Sequence, residues 1–264
     1  MLEKNHQVRF TLLDFATRSL AVLGLGLTLS ASAGQGQDPA EIIERMESVM
    51  RGDSQYAEMT MRIVRPRYER EVSLRSWLLG RNHSLILITA PARDEGTAFL
   101  MRESDIWNYD PRIDRTTRLP SSMMAQSWMG SDFTNDDLVR DSDPVKDFEH
   151  ELLRIEEYDG LDAYVIKMIP RPDTPIVWGK VKVWIAVGEY TQLRIENYDQ
   201  RDGLVNTMKL DRIEQFGERR VPTRITVIPA DKDDERTVLD FQHIEFDIDL
   251  DESFFSRANM QRLR

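Results

Sequence analysis

The chain has 264 residues, with 35 Lys and Arg against 46 Asp and Glu, a net charge of −11 and no cysteine. The acidic balance argues against a nucleic-acid partner and favours a dispersed, soluble monomer. The missing thiols exclude disulfides, thiolate metal sites and a cysteine nucleophile, so a hydrophobic core must hold the fold, and the length suits one such core.

At the N-terminus, Lys4, Arg9 and Arg18 outweigh Glu3 and Asp14, and an apolar run from Leu20 to Leu29 follows. About ten apolar residues suit the core of a signal peptide and fall short of the ~20 that span a bilayer. Ala31-Ser-Ala33 then supplies the small residues that signal peptidase requires. Residues 1–33 therefore read as a signal peptide cleaved after Ala33, and 34–264 as one mature domain delivered to the periplasm. With no cysteine to acylate, the mature chain is not itself a lipoprotein.

Asp38-Pro39-Ala40-Glu41 has the form of a helix start: an N-cap, a proline at the first helical position and an acid three residues after the cap. Ile42, Ile43, Met46, Val49 and Met50 recur at helical spacing, and Gly52 closes the segment. From Tyr56 the period changes to two. Alternating runs predict strands over Met59 to Ile63, Val72 to Leu78 and His83 to Ala90, the last apolar on both faces and so covered on both sides. After an irregular middle come strands over 151–157, 161–169, 177–187, 192–199, 204–216, 220–228 and 237–246. Asp159-Gly160 and Asp202-Gly203 mark hairpin turns between them. Ten or so strands in consecutive hairpins imply an antiparallel meander that curls into a barrel, half-barrel or sandwich.

The middle, 121–148, differs. Met123, Met124, Trp128 and Met129 put large apolar groups into a segment with no strand pattern, as a lid over an apolar ligand would. Thr134 with Asp137 caps a short helix through Arg140. Such an insertion between two sheet halves is well placed to lie across a concave face.

Catalytic signatures are missing. His83, His150 and His243 form no metal-binding spacing, and the sequence has no nucleophile elbow, phosphate loop or dinucleotide fingerprint. His243 lies on one strand face with Phe241 and Leu239, as a core or edge histidine does. The acids at Asp141, Asp143 and 231–235 lack calcium-loop spacing and read as solvated turns. The chain reads as neither an enzyme nor a cofactor protein. Twelve methionines and five tryptophans stand out instead; they either fill the core or line an adaptable binding surface.

In this order, several local motifs resemble the periplasmic outer-membrane lipoprotein-sorting family, the Lol carrier-like proteins. Met61-Arg-Ile-Val-Arg65-Pro66 is similar to the family's strand ending in Arg-Pro. Asp105-Ile-Trp107-Asn-Tyr109-Asp-Pro111 looks like its D-x-W-x-Y-x-P strand, and Gly130-Ser-Asp-Phe-Thr-Asn-Asp-Asp-Leu138 resembles a third family segment. Val181-Lys-Val-Trp-Ile185 and the Tyr198 to Gly203 segment also fit, so the resemblance spans about Asp38 to Leu263. Extra strand-like sequence from Tyr68 to Ala92 departs from the type members. The resemblance implies a mainly β (α+β) fold, an incomplete antiparallel β-barrel with helices closing its concave face. It implies acyl chains of lipids or lipoproteins as cargo, an inner-membrane exporter and an outer-membrane acceptor as partners, and a lid latch at Arg65. Met59, Met61, Trp107, Tyr109, Met123, Met124, Trp128 and Met129 are the candidate lipid-binding residues. The alternative is an accessory protein of an inner-membrane export complex that carries no lipid.

Overall fold

A computed structural model describes residues 37–103, 105–139, 143–172, 174 and 176–263. The predicted signal peptide falls outside the described residues. The first element, α1 (Pro39–Arg51), forms as its caps dictate: the Asp38 carboxylate accepts from Ala40 N at 2.9 Å, and Gly52 closes the helix at φ 64°. Glu41 turns outward to Arg45 one turn on instead of back to the cap. Ile42, Ile43 and Met46 are fully buried, each contributing about 1.5–3 kcal/mol.

Thirteen strands follow. The first six are β1 (Ser54–Arg65), β2 (Tyr68–Leu79), β3 (His83–Ala90), β4 (Ala98–Arg102), β5 (Asp105–Asp110) and β6 (Arg115–Arg118). The remaining seven are β7 (Phe148–Tyr158), β8 (Leu161–Pro170), β9 (Lys180–Ala186), β10 (Gln192–Tyr198), β11 (Leu204–Phe216), β12 (Arg219–Pro229) and β13 (Arg236–Phe246). All lie in one antiparallel sheet of order β6-β5-β4-β3-β2-β1-β13-β12-β11-β10-β9-β8-β7. Each half is a plain meander, and the first and last strands pair at its centre. A sheet this wide curls, because strand twist accumulates. It remains open, with β6 at one edge and β7 at the other, as an incomplete barrel. The longer edge, β7, exposes Glu149, Glu151, Arg154 and Glu157, charges that discourage edge pairing.

The turns follow their sequences. Asp159 and Gly160 are both left-handed, at φ 53° and 81°, which joins β7 to β8 tightly. The β10–β11 loop is longer, and its Asp199 carboxylate accepts from Arg201 N and Gly203 N, both at 2.8 Å.

The main core lies on the concave face, where α1 packs against residues from both halves, including Met61, Ile88, Ile166, Ile185 and Val227. A second layer covers the convex face of β2 to β5. There Leu85, Leu87 and Leu100 meet Phe255 and Met260 from a C-terminal tail ending in α3 (Arg257–Arg262). The two-faced strand His83 to Ala90 is thereby explained: Ile86 and Ile88 face the concave core, Leu85 and Leu87 the tail. The tail helix was not anticipated, and neither were β4 and β6.

One strand-face assignment is corrected. A bulge opposite Glu58 and Met59 offsets β13, so Met59 pairs with Phe241 but Glu58 with His243. Leu239 and Phe241 stay on the concave side, whereas His243 emerges on the convex surface, 6.1 Å from the Tyr56 ring and bonded to Glu245.

Candidate functional site: a cavity beneath a strapped crossing

The chain must travel from one sheet edge, β6, to the other, β7, and it does so across the concave face. This crossing, 119–147, has a 3-10 turn (Ser121–Met123), a tight loop closed by a bridge between Ser127 and Thr134, and α2 (Asn135–Val139). The predicted capping pair forms: the Asp137 carboxylate accepts from Thr134 N at 2.8 Å, and Asp137 N donates to Thr134 Oγ1 at 3.1 Å. Within the loop, Met129 and Gly130 are left-handed, Trp128 N donates to Phe133 O at 2.8 Å, and Ser131 Oγ donates to Trp128 O at 2.7 Å. These bonds bring Trp128 inward, where it is buried against Phe99 at 5.2 Å between ring centres.

The loop tip is tied to the middle of the sheet. Arg65, ending β1, donates to both carboxylate oxygens of Asp132 at 3.0 Å and to Gly130 O at 3.1 Å. Its Nε also faces Glu235 at 3.3 Å. Arg65 and Asp132 side chains are only 11% and 8% exposed. Thr237 on β13 exchanges two further bonds with Asp132, and Arg70 on β2 donates to Met129 O while pairing with Asp94. Nearer the β7 end, Asp143 pairs with Arg81 from the β2–β3 hairpin. Burial pushes the Asp143 carboxyl up. The backbone N–H groups of Val145 and Lys146, the Lys146 ammonium and Arg81 outweigh it and hold that carboxyl below the usual range.

Beneath the crossing, α1 and the curved sheet leave a cavity of about 270 Å³. Six methionines line it, Met46, Met50, Met59, Met101, Met168 and Met208, with Phe133, Phe148, Trp178 and Phe241. These residues come from α1, from strands of both halves and from the crossing, so the space exists only when all three are in place. Polar groups collect on one wall: Gln55, Ser76 and Ser84 on β1 to β3, below Glu47 and Arg51 of α1 and Asp136 and Asp137 of α2. Gln192 and Asn197 border it from β10.

The predicted residues divide among several places. Met59 lines the cavity, and Met61 is fully buried in the surrounding core. Trp128 sits in that core and Met129 packs against it; Met124, on the crossing itself, is buried against Met101 and Ile106. Met123 is half-buried and its carbonyl accepts from Asn135 Nδ2. Trp107 and Tyr109 instead face the convex side, among the residues beneath the tail; Arg257 stacks on the Trp107 ring and the Tyr109 hydroxyl donates to Asp114. Sequence reasoning missed Asp132 as the partner of Arg65 and Thr237 as the partner of Asp132. Asp132 lay inside the Gly130 to Leu138 motif with no role attached.

The histidines stay apart. His83 is buried against Phe255, His150 bonds Pro144 O, and His243 is on the surface. Among the described residues no group of three or more His, Asp or Glu could hold a metal ion, and no helix is long and apolar enough to cross a membrane.

No curated protein matches the chain. A family model described as an uncharacterized protein matches residues 80–262. Among solved structures, an outer membrane lipoprotein-sorting protein domain from Vibrio parahaemolyticus is 23% identical with a TM-score of 0.77, covering 85% of this chain and 98% of that one. A DUF1329 family protein from Desulfovibrio piger is 25% identical, with a TM-score of 0.78 over 85% and 100% of the two chains. A LolA superfamily protein from Nitrosomonas europaea is 25% identical, with a TM-score of 0.72 over 83% and 98%. The chain thus belongs to the family of uncharacterized proteins that the matching family model describes, and it shares the fold of the outer membrane lipoprotein-sorting, DUF1329 and LolA superfamily structures.

Proposed function

We propose that this protein is an exported periplasmic carrier that buries acyl chains of lipids or lipoproteins in the cavity under the crossing and moves them between membranes. One observation carries the reading: a methionine-lined hollow of about 270 Å³ that the protein's own side chains leave unfilled. Methionine adapts to flexible hydrocarbon, and each methylene moved out of water contributes about 0.8 kcal/mol, so binding needs no catalytic group. The crossing is the lid, and Arg65, holding Asp132, is its latch. An inner-membrane donor and an outer-membrane acceptor are the partners that a shuttle of this kind serves.

The test is mass spectrometry of solvent extracts from protein purified without detergent from the periplasmic fraction. Acyl-bearing species at near-stoichiometric amounts support the carrier. Extracts empty of them, together with failure of the pure protein to take up any alkyl probe, would leave the accessory, lipid-free role in its place.

A further inference from the structure

The polar wall of the cavity has a feature that packing does not explain. Ser76 on β2 and Ser84 on β3 are buried, at 6% and 3% exposure, and both line the cavity. Neither hydroxyl has a hydrogen-bond partner among the described residues. Ser76 lies opposite Ile86, two residues from Ser84, so the two serines are diagonal neighbours on one face, roughly 7–8 Å apart at the backbone. Gln55 is the corresponding diagonal neighbour of Ser76 on β1, since it lies opposite Leu78. Its amide reaches Met50 O at a long 3.4 Å. Buried hydroxyls are normally bonded, because leaving one unbonded forfeits its hydration. Two adjacent exceptions that open into the cavity, on a wall shared with Gln55, leave hydrogen-bonding capacity for a ligand's polar atom.

The size of the hollow sets the rest of the ligand. An apolar cavity of about 150 Å³ takes one benzene, so about 270 Å³ holds on the order of ten carbons. We infer that, with the lid latched, the cavity takes a single hydrocarbon chain of about ten carbons whose uncharged, hydrogen-bonding head (a hydroxyl, amide or ester oxygen) meets Ser76 and Ser84. The head is uncharged because the groups awaiting it are hydroxyls and a primary amide, while the charged groups of the same wall, Glu47, Arg51, Asp136 and Asp137, already have partners of their own. A bulkier cargo, with two or three chains, therefore needs the lid displaced. This inference rests on the carrier reading and assigns its ligand class.

The probes are 1-hexanol, 1-octanol, 1-decanol and 1-dodecanol, titrated calorimetrically into the full mature protein and into Ser76→Ala/Ser84→Ala. Affinity should rise about fourfold per added carbon up to about ten carbons and then stop rising. The double variant should bind 1-decanol about tenfold more weakly, two modest hydrogen bonds having been lost. Its ligand-free melting temperature should be unchanged or higher, since no internal bond is removed. Affinity that keeps growing through 1-dodecanol, or equal 1-decanol affinity in the double variant, overturns the assignment while leaving a carrier. A lower ligand-free melting temperature also overturns it, because the hydroxyls would then be bonded within the protein. If none of the four alcohols binds, the carrier reading falls with it.

Discussion

Arg65→Ala should open the lid without unfolding the sheet. The guanidinium meets both oxygens of Asp132 and the Gly130 carbonyl, with Glu235 at its other side. Removing it leaves the Asp132 carboxylate, 8% exposed, with Thr237 as its remaining bonded partner and a second carboxylate nearby. Taking one partner from a buried pair costs about 3–5 kcal/mol, because the survivor keeps its desolvation penalty. Asp132→Asn should cost less, about 1–2 kcal/mol, since an amide fills the space and still accepts from Arg65. The cost falls on the crossing, because the strands flanking Arg65 keep their ladder bonds. Native-state hydrogen exchange should therefore show the amides of Trp128, Ser131, Phe133 and Asn135, all bonded within the loop, losing at least a hundredfold in protection in Arg65→Ala. Amides of β1 and β13 away from the strand end should hold to within about threefold. Uniform loss across sheet and loop would mean that Arg65 supports the fold and not a separable lid; unchanged loop protection would mean that it supports neither.

Trp128→Ala should destabilise by about 3–5 kcal/mol in urea unfolding, the usual cost of emptying a buried indole site. Trp128→Phe should cost less than half of that, because it also removes a buried Nε1–H with no hydrogen-bond partner among the described residues. Gly179→Ala should cost about 1–3 kcal/mol in the same assay, since its Cβ would stand 2.3 Å from the Asp199 carbonyl oxygen where Gly179 N bonds Tyr198 O. Burial, followed by hydrogen bonds to Glu58 and Glu196, pushes the Tyr56 and Tyr198 hydroxyls up to about 12. A raised folded value means stabilisation present below pH 10 and lost as pH rises from 10 towards 12. Tyr164 is raised as well, by burial first, so absorbance titration should show three late-ionising tyrosines, one fewer in Tyr56→Phe, and melting temperature should fall across that window.

Much of the architecture was legible because local signals agreed. The α1 caps, the strand periods and the Asp159-Gly160 turn each specified one local structure, and each forms. That the middle segment packs inward was legible for the opposite reason: Met124, Trp128 and Met129 are costly in a solvated loop, so something had to cover them. Strand β6, Arg115-Thr-Thr-Arg118, has no apolar alternation because it is a short edge. The bulge in β13 has no sequence signature, yet it moves His243 to the far side of the sheet from Phe241. Trp107 and Tyr109 were read as cavity residues since nothing local announces which strand face a curved sheet turns inward. That choice depends on the tail at 250–263, whose Phe255 and Met260 cover the convex side. The Arg65–Asp132–Thr237 chain of bonds was out of reach for a related reason, since Asp132 is 67 residues from Arg65 and 105 from Thr237 in sequence.

The strand order constrains how such a lid can work. Because β1 and β13 meet at the centre while β6 and β7 form the edges, the crossing is tethered at both rims and latched near the middle. On the carrier reading, releasing Arg65 from Asp132 would free the strap between its two tethers, so that it would bow outward without detaching. Arg81 with Asp143 still holds one end, and Leu119 N bonded to Ile106 O holds the other. A cargo that fits the latched cavity does not oppose the latch and gains nothing from its loss. On the same reading, a larger cargo would bind only the bowed form, and its affinity would be reduced by the latch's own free energy, about a hundredfold for ~3 kcal/mol. Loading and release of large cargo can then be governed by whatever competes for Asp132, with the hydrocarbon contacts themselves left unchanged.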